Sequence, residues 1–189
     1  MSSDRTSQTS SSNYYHTFYR ILRPVLIYYL LMLLSKRICS ALNIPDETVS
    51  PLSSCLILPF MIAAYLNKTD SKRILIGAGV LTGCVLLAGI KKKNPIPISI
   101  IGVGLAGPFS EEIVFRGWVF SRSKESFGFR WALILSSLLF AAGHATLPQI
   151  LVGFLAGCLL AYIREKTGSL RMPILLHTGW NLIQILLFP

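Results

Sequence analysis

The chain has 189 residues, of which 52% are hydrophobic and only 14% charged, and its mean hydropathy is +0.59. Soluble domains carry about a quarter charged residues, so this sequence lacks the charge to coat a water-facing surface, although its length suits one domain. A net charge of +10 would fit a nucleic-acid partner, but the basic residues fall between apolar blocks and build no patch on a soluble module, so the expected partner is the lipid bilayer and not nucleic acid.

Residues 1–17 are rich in Ser, Thr and Asn, lack apolar periodicity, and read as a disordered cytoplasmic tail. Mainly apolar blocks follow at 18–34, 49–66, 74–90, 96–120, 131–145, 150–163 and 172–188. A helical span needs roughly 20 residues. The 131–145 and 150–163 blocks are shorter, and Arg130 and Arg164 can snorkel to the interface to lengthen them. Segments 43–51, 67–73 and 91–97 read as connections. The first block follows basic residues as a signal peptide would, but no small-x-small site precedes Lys36 and Arg37, so an uncleaved span is expected. Lipid does not tolerate unpaired backbone groups, which makes helices the expected element throughout. The predicted fold is all-α, a polytopic transmembrane helical bundle of about seven spans over residues 18–189.

With the N-terminus in the cytoplasm, the cytoplasmic connections hold Arg5, Arg20, Arg23, Lys68, Lys72, Arg73, Arg122, Lys124, Arg130, Arg164, Lys166 and Arg171. The opposite side holds Lys36, Arg37, Lys91, Lys92 and Lys93. This imbalance satisfies the positive-inside rule and predicts a multi-pass protein of the cell membrane, although the three consecutive lysines oppose the rule locally. Cys39, Cys55, Cys84 and Cys158 have no ligand spacing and read as packing residues. Gly79 and Gly83, and Gly153 and Gly157, have the spacing of close helix approach, which favours packing within one bundle over dimerisation.

Ionisable groups inside lipid are costly and therefore candidates for function. Here they are Glu111, Glu112, Arg116, His144 and His177. Glycines and Pro108 precede the carboxylates. Either a kink there widens a pocket, or the helix breaks and the acids begin an interfacial helix. Glu112 and Arg116 are four apart and share a helical face as an expected ion pair. Glu111 is rotated by about 100° from Glu112, which leaves it free for general-base work; a solvated interfacial patch is the alternative. The small residues before His144 leave room beside its ring. His177 and Asn181, four apart, can both donate hydrogen bonds to an oxyanion, or can serve as polar links between helices. Measured from the nearest cytoplasmic basic residues at 1.5 Å per residue, Glu111 lies about 16 Å deep, His144 about 21 Å, His177 about 9 Å and Asn181 about 15 Å. Three spans thus bring polar groups to compatible heights.

These residues resemble the three motifs of the CAAX protease and bacteriocin-processing (Abi) family, EExxxR, FxxxH and HxxxN. They match in order as Glu111-Glu112-x-x-x-Arg116, Phe140-x-x-x-His144 and His177-x-x-x-Asn181, within a core of residues 96–187. The resemblance implies an intramembrane endopeptidase in which Glu111, assisted by His144, activates water. His177 and Asn181 would bind the oxyanion, while Glu112 and Arg116 hold the site together. It implies no cofactor, with zinc on Glu111, His144 and His177 as the second choice. The implied substrate is a membrane-associated peptide or a prenylated, lipidated protein C-terminus. The alternative is a non-enzymatic membrane immunity or binding protein of the same fold; a small transporter would also place charge at mid-membrane.

Overall fold

The computed structural model of the chain describes residues 4–42, 44, 46–66 and 99–187. Every element among them is helical. Helix α1 spans Asp4–Ala41 and α2 spans Asp46–Leu66. A continuous path, α3, is built from Ile100–Ala106, Gly107–Glu112 and Ile113–Phe120. Helices α4 (Ser121–Ala141), α5 (Leu147–Thr167) and α6 (Arg171–Leu187) complete the set. The apolar block at 74–90, the three consecutive lysines, Gly79, Gly83 and Cys84 lie outside the described residues.

Two local expectations change. The backbone of residues 4–17, read as a disordered tail, is helical. No glycine or proline interrupts the chain before Pro24, so a helix nucleated in the apolar stretch can propagate backwards through it. Segment 43–51, read as a connection, joins α2 from Asp46 onward, where Asp46 and Glu47 suit the positive end of the helix dipole.

The helix break read as one alternative at Pro108 is not found. The backbone stays helical through it, and the first and last parts of α3 widen into π-helix. The Gly107 N–H bonds to Gly102 O, five residues back, so the ladder slips by one residue just before Pro108, which has no N–H to contribute. Ser110 Oγ donates to Ala106 O at 2.7 Å. Glu111 and Glu112 therefore sit in the middle of a helix and not at the start of one. The true break comes later, at Gly128, whose φ of 80° and ψ of 174° belong to a region that is essentially glycine-only.

Helix α3 is the centre of the molecule and touches α1, α2, α4, α5 and α6. Its Ile113, Val114, Phe115 and Val119 pack with Ile21, Val25 and Tyr28 of α1, Ile57 and Met61 of α2, and Phe140 of α4. Apolar side chains gain little from leaving lipid, so close packing, not exclusion from solvent, holds such a core.

The outward faces are apolar too. Leu26, Leu30 and Leu34 on α1, Leu151, Leu155 and Leu159 on α5, and Leu175, Ile183 and Leu186 on α6 are all exposed. Among the described residues, Tyr15–Ala41 and Leu147–Thr167 are long and apolar enough to cross a membrane by length and composition, and only 22% of each window is buried within the protein. Helices so little covered by their own chain are unlike the core helices of a soluble domain, and their apolar faces suit lipid.

Candidate active site

The site is assembled around the first turn after Pro108. Arg116 Nη1 donates to Glu112 Oε1 at 2.9 Å, with both side chains 0% exposed. Further contacts steady the buried pair, although Arg116 Nε and Glu112 Oε2 have no hydrogen-bond partner among the described residues. Nη2 of Arg116 donates to Gly157 O at 3.1 Å on α5, and the guanidinium lies 4.6 Å over the ring of Phe140 as a cation–π contact. Glycine at 157 makes this possible. A Cβ there would sit 3.0 Å from Ser137 Cβ and 3.1 Å from its Cα, so α4 and α5 reach this separation only without a side chain. The Gly153 and Gly157 spacing thus serves packing inside the bundle.

His177 on α6 is 9% exposed, and its Nδ1 lies 2.9 Å from Glu112 Oε1. An ionised carboxylate can only accept, so Nδ1 carries the proton in this contact and Nε2 faces the other way. There, Glu111 Oε2 lies 3.6 Å from Nε2. Two adjacent carboxylates are thereby distinguished. Glu112 is locked to Arg116 and His177, while Glu111 is partly exposed and meets the imidazole from the opposite edge.

The other residues singled out by sequence are placed as follows. Phe140 is the hub between the histidines, edge-on to His177 at 5.5 Å and to His144 at 5.4 Å between ring centroids. His144 follows the end of α4, is exposed, and lies against Gly153, where a Cβ would come within 3.1 Å of its ring. It makes no hydrogen bond to Glu111 among the described residues. Asn181 Nδ2 donates to Val103 O at 2.9 Å, tying α6 to the widened first part of α3. Sequence reasoning missed Tyr28, whose hydroxyl donates to Glu111 Oε1 at 3.2 Å from α1. The available signal was a polar-tipped aromatic inside an apolar block, where a buried hydroxyl needs a partner.

The second-choice zinc set does not assemble in this arrangement. Among the described residues, no three His, Cys, Asp or Glu side chains group closely enough to hold a metal ion. Glu112 and His177 already engage one another.

All seven motif residues fall inside one recognisable segment. Residues 93–183 match the family model described as type II CAAX prenyl endopeptidase Rce1-like. Over this segment the chain is similar to that family. The resemblance read from EExxxR, FxxxH and HxxxN holds at the level of the family. Among curated proteins, the chain is 30% identical over 92 residues to the “Putative membrane peptidase YdiL” of Bacillus subtilis (strain 168), covering 49% of this chain and 38% of that protein. It is 29% identical over 92 residues to an “Uncharacterized 24.3 kDa protein” of Escherichia coli, covering 46% of this chain and 42% of that one. The matched region therefore spans about two fifths of those relatives' own length. No solved structure matches the chain. Tyr28 lies outside the Rce1-like segment.

Proposed function

We propose that this chain is an intramembrane endopeptidase of the CAAX type that hydrolyses a peptide bond with water activated by Glu111. The observation that carries the reading is the division of labour between adjacent carboxylates: Glu112 is sealed by Arg116, and Glu111 is left at the edge of the network beside His177. A general base must reach a water and still be able to take its proton, and only Glu111 is so disposed.

The step runs as follows. A water held between Glu111 and His144 gives its proton to Glu111 as its oxygen attacks the peptide carbonyl. Charge develops on the carbonyl oxygen, and His177 Nε2 and the Asn181 carboxamide are the donors available to it. Because Nδ1 already serves Glu112, His177 can donate from Nε2 only as an imidazolium. Asn181 has two amide N–H groups, so its bond to Val103 O leaves one for the substrate. Collapse of the tetrahedral intermediate breaks the C–N bond, and Glu111 returns its proton to the leaving amine.

The substrate proposed is a membrane-associated peptide or a prenylated protein C-terminus. The site lies among helices whose outer faces are apolar, so a lipid-borne chain can approach from the bilayer. The topology proposed is multi-pass, about seven spans with the N-terminus cytoplasmic in the cell membrane, on the distribution of basic residues.

The test is cleavage of a fluorogenic peptide panel, prenylated CAAX tails included, by purified protein in lipid nanodiscs, with chelator in a parallel arm. Cleavage that survives chelator supports glutamate–water chemistry, and loss with chelator overturns the metal-free step. Folded protein that cleaves no peptide favours the non-enzymatic immunity or binding reading.

A further inference from the structure

The reaction proposed above depends on how one carboxylate is oriented, and the side chain that grips it comes from outside the Rce1-like segment. Tyr28 donates to Glu111 Oε1 at 3.2 Å across 83 residues of sequence. Its ring is 4% exposed, edge-on to Phe115 at 6.0 Å and 81° and to Tyr29 at 5.4 Å and 61°. Tyr29 donates in turn to Leu139 O at 2.8 Å, fastening α1 to α4. The Tyr28 hydroxyl is thus presented by a ring that neighbours already hold, so little rotamer freedom is lost in making the bond. On the far side of the same carboxylate, Oε2 faces His177 Nε2 at 3.6 Å. The two oxygens of Glu111 are addressed from two different helices.

We infer that Tyr28 is a positioning residue for Glu111, a role resting on the peptidase reading: its hydroxyl holds Oε1 and leaves Oε2 turned toward His177 and the attacking water. A phenol suits this task because it donates without a formal charge, orienting the base without pairing it off as Arg116 pairs Glu112. Helix α1 is then part of the active site and not only a membrane anchor. The contacts of the ring would be satisfied by phenylalanine; only the hydroxyl serves Glu111.

The experiment compares full-length wild type, Tyr28→Phe, Tyr29→Phe and Glu111→Gln in lipid nanodiscs. It reads kcat, KM, the thermal midpoint and the infrared carboxylate band that disappears in Glu111→Gln. Loss of a hydrogen bond to a charged group predicts that Tyr28→Phe lowers kcat by about tenfold or more. Its KM should hold and its thermal midpoint stay near wild type, while the Glu111 band moves. Tyr29→Phe should lower the thermal midpoint and leave the band in place. Should Tyr28→Phe reduce folded yield, a ring-fluorinated tyrosine at position 28 keeps the packing, changes the acidity of the hydroxyl and must still move the band. Wild type that cleaves while Tyr28→Phe keeps full kcat, or a Glu111 band that does not move, overturns the role of Tyr28 and leaves the peptidase reading intact. Wild type that cleaves nothing overturns the peptidase reading and the role together.

Discussion

Arg116 makes the sharpest demand of any single side chain. It is fully buried, paired with Glu112, bonded to Gly157 O and stacked on Phe140. Its removal strands a buried carboxylate and breaks two interhelical contacts. Breaking such a pair costs about 3–5 kcal/mol, so Arg116→Ala should sharply reduce folded yield and the thermal midpoint in detergent. Unchanged stability with lost cleavage would instead make Arg116 a functional group. The i to i+4 spacing was enough to read the pair from sequence, because that geometry belongs to the helix itself. Tyr28 was not legible. Its contact with Glu111 closes a gap of 83 residues, and nothing in local periodicity says which turn of α1 faces which turn of α3. His177 was found as a polar group, but its position between both carboxylates follows from the packing of α6 on α3 and not from the HxxxN spacing.

At the level of elements, two devices set the site. The π-helical widening of α3 around Pro108 carries the carboxylates into mid-helix, and the close approach of α4 and α5 brings Gly157 O to Arg116. Proline signalled an irregularity in the sequence; whether it would kink, break or widen the helix depended on the neighbours that resupply the freed hydrogen bonds. The approach at Gly157 yields a direct prediction. Gly157→Ala places a methyl group on Ser137, and overpacking of this kind costs about 1–3 kcal/mol. The thermal midpoint should fall, and cleavage should fall with it as Arg116 loses its carbonyl. Gly179→Ala is the matched control: a Cβ there meets nothing within 4 Å, so the midpoint should hold or rise slightly. Equal behaviour of the two variants would refute the close-approach account.

At the scale of the whole molecule, composition pointed to the helices that every described element adopts, since so few charges and such long apolar blocks leave helices as the natural solution in lipid. The motif order pointed to the family; of the two motif histidines, the bundle brings His177 to both carboxylates, while His144 meets Phe140. The number of spans needs a different kind of evidence, and the third apolar block lies outside the described residues. Seven spans with a cytoplasmic N-terminus place a reporter fused after Pro189 on the external side; a cytoplasmic signal would contradict that count. The central claim is that Glu111, and not its sealed neighbour, activates the water. It is tested most directly by comparing wild type with Glu111→Gln on the best-cleaved peptide, at matched folded yield in nanodiscs. The account predicts a fall in kcat of about a hundredfold or more with KM little changed, as for loss of a general base. Cleavage by Glu111→Gln at the wild-type rate would contradict it.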